Sequence, residues 1–448
     1  MASVTFYGGV NEIGGNKILI EDRGTRIFFD FGESFVMGQG VFAGYLSPRS
    51  VNGLGDYFEF DLLPKLQGLY SKKQLEHTTL PYVAPEFDAI FLSHAHFDHI
   101  SHIPFLDESI PVFLGAGTKL FLKAMEKTSS FCNYGEHQYH TFRTGDQIKV
   151  DNVVVRPVHV DHSIPAAYGF ITETSEGSVI YTGDVRKHGP KGDMTTEFAE
   201  AAYSSQPTAM VCEGTRMVEE EKRKNYTEYQ VKAESEKIVA ATNRMVFVTR
   251  YSRDMDRFNT FFNVAKNNDR RLVVSPKTAY LLSQLVEDRH LDLPDPLKDD
   301  DVLVYFKRKK SGSFVEKDYH VWERALMDKM VTHQFVHEHQ DQLVMDLDFY
   351  QFAELVDIRP DPGGEFIHSM SEPFSEEDLE DKVMHNWLDH FRLRFHQLHA
   401  SGHMNRAELT ELIASVSPRR VFPIHTENPH LFPSPQTEHV EYGRECKL

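Results

Sequence analysis

Residues 93–102 read Ser93-His94-Ala95-His96-Phe97-Asp98-His99-Ile100-Ser101-His102, a run that crowds imidazoles and a carboxylate into one local cluster. Immediately before it, Asp88-Ala89-Ile90-Phe91-Leu92-Ser93 is an apolar stretch of strand length that ends where the polar cluster begins. The pattern predicts a buried strand opening into a turn that carries His94, His96, Asp98 and His99. Neutral imidazoles and carboxylates are good ligands for divalent zinc, manganese or iron, ions suited to hydrolytic chemistry. A solvated polar turn is the plain alternative, and the spacing together with the preceding strand argues against it.

The pattern His94-x-His96-x-Asp98-His99 resembles the signature of the metallo-β-lactamase superfamily. The resemblance implies that a later His and a later Asp complete a two-metal site. The matching stretches are His162 in Asp161-His162-Ser163-Ile164-Pro165 and Asp184 in Ile180-Tyr181-Thr182-Gly183-Asp184. Each follows an apolar run, residues 153–160 and 178–181, so each is expected at a strand end. His159 competes with His162, and the His-Ser-Ile-Pro context favours His162. With 24 histidines in the chain most must be ordinary, and His102 and His188 are read so. The opening Tyr7-Gly8-Gly9-Val10-Asn11-Glu12-Ile13-Gly14-Gly15-Asn16 resembles that of the ribonuclease branch. Its glycines lack a following Lys-Ser/Thr and read as a hairpin turn rather than a phosphate loop.

The 448 residues suffice for two or three domains, and 40% hydrophobic content is that of a globular chain. The N-terminus has no basic region followed by an apolar signal core, and no segment is apolar enough to span a bilayer. A cytoplasmic protein without membrane contact is expected. Cys132, Cys212 and Cys446 are scattered and odd in number, which fits a reducing compartment. The net charge of −19 argues against a non-specific polyanion binder, while an enzyme acting on nucleic acid needs only a local basic channel. Candidate channel cations are Lys222 with Arg223 and Lys224, Arg250 with Arg253 and Arg257, and the run 307–310.

After Asp184 strands and helices start afresh. Residues 245–249, 272–275 and 302–306 read as buried strands; Met255, Phe258, Phe261, Phe262 and Ala265 recur at helical spacing, and residues 278–286 after Pro276 read as another helix. Such alternation implies a parallel sheet with helices on its faces. Breaks fall at 293–296 and 359–364. The inserted region resembles the β-CASP cassette of the nucleic-acid-processing branch. The matching motif residues are Glu213 in Val211-Cys212-Glu213-Gly214-Thr215-Arg216, His403 in His399-Ala400-Ser401-Gly402-His403, and His425 in Ile424-His425-Thr426-Glu427. The expected architecture is α/β: a metallo-β-lactamase αββα sandwich over 1–205, an inserted α/β β-CASP domain over 206–390, and a return to the sandwich over 391–448.

The His399–His403 motif is close to the ribonuclease J family. Two departures stand out: Thr426 follows His425 where that family usually has Gly, and Ala166 follows Pro165 where an acidic residue is common. The family also usually carries a further C-terminal domain, which leaves a homodimer open here. The resemblance implies that His94, His96 and His162 hold one divalent ion and Asp98, His99 and His425 the other, with Asp184 bridging; zinc is expected, manganese is the alternative. Asp98, Asp184, Glu213 and His403 are the expected catalytic residues, with His403 beside Glu213 protonating the leaving 3′-oxygen. His399, Ser401, Ser369 and Ser371 are the candidates for binding the 5′ end of single-stranded RNA, although Ser369 and Ser371 read equally well as turn residues. The implied activity is hydrolysis of RNA phosphodiester bonds, exonucleolytic from the 5′ end, endonucleolytic, or both. A crosslink-repair-type DNA nuclease normally has valine at the position of His425, and small-molecule hydrolases of this superfamily lack the insertion.

Overall fold

The computed structural model describes residues 1–372, 378–433 and 435–448. Two sheets form a sandwich. The first runs in the order Glu445–Lys447, Ser3–Phe6, Ile18–Asp22, Thr25–Phe29, Ala89–Leu92, Val112–Gly115, Tyr139–Phe142. The second runs Arg420–Ile424, Ala209–Glu213, Gly177–Tyr181, Tyr168–Thr174, Val153–His159, Ile148–Val150. Alternation along each strand decides which layer a side chain joins. Phe91 points into the inter-sheet core with Phe29, Phe170, Tyr181 and Phe422, whereas Ile90 and Leu92 point outward under the helix Ala116–Thr128. On the far side, Ile180, Met210 and Cys212 are covered by the helices Gly192–Ser204 and Arg406–Val416. This is the expected αββα arrangement.

The third sheet has seven strands, all parallel, in the order Met330–Val331, Val302–Tyr305, Arg271–Val274, Leu343–Asp346, Val246–Thr249, Glu365–His368, Arg394–Gln397. Both its faces are buried, as crossover helices require. The helix Met255–Asn267 buries Met255, Phe258, Phe261, Phe262 and Ala265 against it and is capped by Asp254, which accepts from the Arg257 amide at 2.8 Å. The next helix, Pro276–Leu285, starts on the Ser275 cap with proline at its first position.

The expected domain boundaries need moving. Ala209–Glu213 lies beyond the expected boundary at 206 yet pairs in parallel with Gly177–Tyr181 and Arg420–Ile424 in the second sheet. Arg394–Gln397 lies beyond 390 yet pairs with Glu365–His368 in the third. A composition break marks where a linker is easy, not where a sheet ends, so strand pairing decides. The opening glycine-rich stretch is, as expected, the connection of an antiparallel pair, with Phe6 opposite Ile18.

Candidate metal centre

Every candidate ligand sits just beyond the end of an apolar strand. His94 and His96 follow Ala89–Leu92, Asp98 and His99 lie in the short helix Phe97–Ile100, His162 follows Val153–His159, Asp184 follows Gly177–Tyr181, and His425 follows Arg420–Ile424. Strand ends from both sheets thus converge on one point, where backbone pairing stops and side chains are free to turn inward.

The side chains form two ligand sets that share one member. His94, His96, His162 and Asp184 make one, and Asp98, His99, Asp184 and His425 the other; within each, the ligand atoms lie within 4.8 Å of one another. In the first, His96 Nδ1 lies 3.0 Å from both His94 Nε2 and His162 Nε2. In the second, His425 Nε2 lies 2.9 Å from Asp98 Oδ2, and His99 Nε2 lies 3.2 Å from Asp184 Oδ2. Asp184 Oδ1 is buried with no hydrogen-bond partner among the described residues. Three inward-facing imidazole nitrogens and an orphaned carboxylate oxygen fit divalent cations far better than they fit one another.

The ring nitrogens that face away are held in four of the five histidines. Asp30 Oδ2 lies 2.7 Å from His99 Nδ1, Ser93 Oγ 3.0 Å from His94 Nδ1, Gly402 O 2.6 Å from His162 Nδ1, and Thr215 Oγ1 2.8 Å from His425 Nδ1. Such partners select the tautomer and aim the lone pair. Glycine at position 402 allows this close approach, since a Cβ there would crowd Ser163 Oγ at 2.8 Å and His162 Cε1 at 3.0 Å. His425 has φ +53°, a conformation costly for a residue with a side chain, and its amide is tied to Gly9 O at 2.7 Å.

Burial holds His94 and His162 well below the ordinary imidazole range and pushes His96 down to about 3, so these three rings stay neutral and offer lone pairs. The other half of the site behaves oppositely. Burial works against a charged His99 or His425, but Asp184 and Asp98 outweigh it, lifting His99 well above the ordinary range and His425 to about 9. This half attracts positive charge.

The chain also brings Glu213 and His403 to the rim. His403 Nδ1 lies 3.1 Å from Glu213 Oε1, its Nε2 lies 4.0 Å from Asp184 Oδ2, and its side chain is partly open to solvent. Glu213 is buried and accepts from the Val185 and Thr215 amides at 3.2 and 2.9 Å. The loop bearing His403 is fixed from below: Ser401 Oγ accepts from the His403 amide at 3.1 Å, and His188 Nε2 lies 2.9 Å from Ser401 O. His188, read as ordinary, is thus a loop anchor.

Of the expected 5′-end contacts, His399 is half-buried, its pKa pushed down to about 3 by desolvation and by Arg257, and its Nδ1 lies 3.1 Å from Ser369 O. Ser369 does not serve as a free donor. Its hydroxyl donates to Leu398 O and accepts from Arg257, so both functions are used inside the fold. Ser371 Oγ lies 2.7 Å from Tyr251 Oη. Two of the expected channel cations are corrected as well. Arg257 is fully buried on Glu228, and Arg250 is buried on Asp346 at 2.8 Å. Arg253 does reach the site, donating to Ala95 O at 2.7 Å, and with Lys307 it lines a cleft of about 920 Å³.

Sequence reasoning passes over Asp30. It too follows an apolar strand, Thr25–Phe29, so the strand-end signal that finds Asp184 is present for it. Arg257, Glu228, Arg186 and Asp161 have no comparable local signal.

Fold and ligand geometry define a protein of the metallo-β-lactamase class. The family model described as "Beta-lactamase superfamily domain" matches residues 61–244, and "Zn-dependent metallo-hydrolase RNA specificity domain" matches residues 390–431. Ribonuclease J of Sinorhizobium meliloti is 26% identical over 370 residues, covering 79% of this chain and 59% of that protein. Ribonuclease J 2 of Streptococcus pyogenes is 21% identical over 438 residues, covering 94% and 69%. The chain therefore spans about three-fifths to two-thirds of the length of these relatives. A crystal structure of a protein of unknown function from Enterococcus faecalis has the same fold, with a TM-score of 0.78 at 23% identity and full coverage of both chains. With these matches, the chain is a β-CASP, ribonuclease J-like protein of the metallo-β-lactamase superfamily.

Proposed function

We propose that the chain is a metal-dependent ribonuclease that hydrolyses phosphodiester bonds of single-stranded RNA in the cytoplasm, in RNA processing or decay. The observation that carries this reading is the pairing of His403 with Glu213 beside Asp184. His94, His96 and His162 would hold one divalent ion and Asp98, His99 and His425 a second, with Asp184 shared; zinc suits this mixed imidazole and carboxylate set, and manganese is the alternative. When bound, two such ions activate water and steady the charge on phosphorus in an in-line displacement.

The chain's own residues do the rest. Hydrolysis joins a water oxygen to phosphorus and breaks the bond to the 3′-oxygen, which needs a proton as it leaves. His403 Nε2 is the donor, with Glu213 on Nδ1 fixing the ring. The proton lost by water restores His403. The cleft between the sandwich and the third sheet, at the carboxyl ends of the parallel strands and lined by Lys127, Arg253, Lys277 and Lys307, suits a polyanionic strand. No helix among the described residues is long and apolar enough to cross a membrane.

The test is cleavage of 5′-labelled RNA and matched DNA bearing mono- or triphosphate ends, with mononucleotides and fragments resolved. RNA cleavage with weak or no DNA cleavage is expected. Equal or faster cleavage of single-stranded DNA overturns the assignment.

A further inference from the structure

Phe35 is an exposed aromatic ring standing at the mouth of the metal centre. It is 56% exposed and its neighbour Val36 is 41% exposed. A lone exposed phenylalanine means little on a protein surface. This one is built into the site. Its ring meets Phe97 edge-on, with centroids 4.9 Å apart at 79°, and Phe97 lies between His96 and Asp98 in sequence.

The backbone beneath Phe35 is stitched to the helix that carries the ligands. Phe31 N donates to His99 O at 2.8 Å, Gly15 N donates to Asp98 O at 3.0 Å, and Ser34 bridges to Gly14. Position 32 admits only glycine, because a Cβ there would come within 1.8 Å of Asp98 O. Phe35 is therefore fixed relative to Asp98 rather than carried on a loose loop. A Cβ built on Gly14 would lie 3.0 Å from Asp98 Oδ2 and 3.1 Å from Phe35 Cδ2, so no more than about 6 Å separates the ring edge from a candidate metal-ligand oxygen.

The segment that follows keeps exposing apolar side chains: Tyr45, Leu46, Val51 and Phe60 are all open to solvent. Folding ordinarily hides such groups, and here it holds one of them rigidly beside the reactive centre with its surface open. A flat, apolar, pre-positioned ring beside a phosphate-cleaving site matches a nucleobase, whose own face is available to stack whatever its identity.

We propose that Phe35 is the stacking platform for the nucleobase adjacent to the phosphate that is cut. The proposal rests on the ribonuclease reading and deepens it. Phe35 grips the base while the ligands and His403 act on the phosphate one sugar's breadth away. Because stacking is blind to base identity, Phe35 contributes affinity and register rather than sequence preference.

The experiment uses the full chain loaded with its metal ions and compares Phe35→Ala and Phe35→Trp with the wild type. Single-stranded RNA carrying 2-aminopurine beside the cleaved bond is bound to each in a His403→Ala background. Fluorescence quenching is expected with Phe35 and with Phe35→Trp, and its loss with Phe35→Ala. In the active background, Phe35→Ala should raise KM roughly tenfold or more with kcat little changed. An abasic site in place of that base should abolish the difference between Phe35 and Phe35→Ala. Metal content should match the wild type in both variants.

If Phe35 merely props Phe97 and Asp98, Phe35→Ala loses metal or kcat, and the loss persists on abasic RNA; that result overturns the proposal. Cleavage by the wild type with no quenching and no effect of Phe35→Ala overturns it too, leaving the ribonuclease reading intact. Quenched binding without cleavage overturns the ribonuclease reading alone. Neither binding nor cleavage overturns both.

Discussion

The buried guanidinium of Arg257 donates from Nη2 to the carbonyl oxygen of Ala400 at 3.1 Å, joining a helix of the third sheet to the loop that bears His399, Ser401 and His403. The same guanidinium holds Glu228 through Nε and Nη2 at 3.1 and 2.7 Å. Glu228 also pairs with Arg186 at 3.3 Å, and Arg186 reaches Asp161 at 3.0 Å and Asp256 at 2.7 Å. Asp161 precedes His162, and Arg186 follows Asp184 by two residues. A chain of buried charges therefore runs from the loop of His403 to two strand ends that carry ligands.

Arg257→Met should destabilise the fold by about 3–5 kcal/mol, because it strands Glu228 without its main partner in a buried setting. Arg257→Lys should also be damaging, since one ammonium cannot reach Glu228, Ser369 and Ala400 together. Denaturant unfolding and turnover measured on the same preparations check this. A Lys variant of wild-type stability and rate would show that the fork geometry is unimportant.

Two metal ions per chain are expected, and a chelator should abolish RNA cleavage, with zinc or manganese restoring it. Asp184→Asn should bind fewer ions and fall below detectable turnover, because Asp184 is the one residue common to both ligand sets. Elemental analysis of chelator-free protein decides, and a single ion in the wild type contradicts the expectation.

His403→Ala should keep both ions and lose about 10² to 10⁴ in the chemical step, the usual range for a general acid. Glu213→Gln should lose less in the same step. His425→Ala, which removes a nitrogen 2.9 Å from Asp98 Oδ2, should instead lower metal content. A metal-poor His403→Ala protein, or a fully loaded His425→Ala protein, would reverse the two roles.

If the cleft beside Arg253 carries the RNA strand, Lys277→Ala or Lys307→Ala should raise KM and flatten the dependence of log KM on log salt by about 0.7 for each phosphate left without its cation. Glu substitutions should have larger effects of the same sign. An unchanged salt slope would place the strand elsewhere.

Much of this protein is legible in one dimension. Apolar runs that stop at His94, His162, Asp184 and His425 announce buried strands ending in ligands, because a strand's interior is committed to packing and only its end can turn a polar side chain inward. The helix stripe of Phe258, Phe261 and Phe262 announces its own buried face by period alone. Tertiary structure decides the rest. Leu343–Asp346 inserts between Arg271–Val274 and Val246–Thr249, and Ala209–Glu213 joins the sandwich rather than the insertion, because parallel pairing brings together strands that are far apart in sequence. A buried arginine such as Arg257 looks like a surface cation until Glu228, Ser369 and Ala400 arrive from three distant segments to satisfy it. Ser369 reads as a donor until the fold consumes its hydroxyl. Local patterns specify which groups turn inward; only the completed packing specifies which partners they meet, because those partners come from distant parts of the chain.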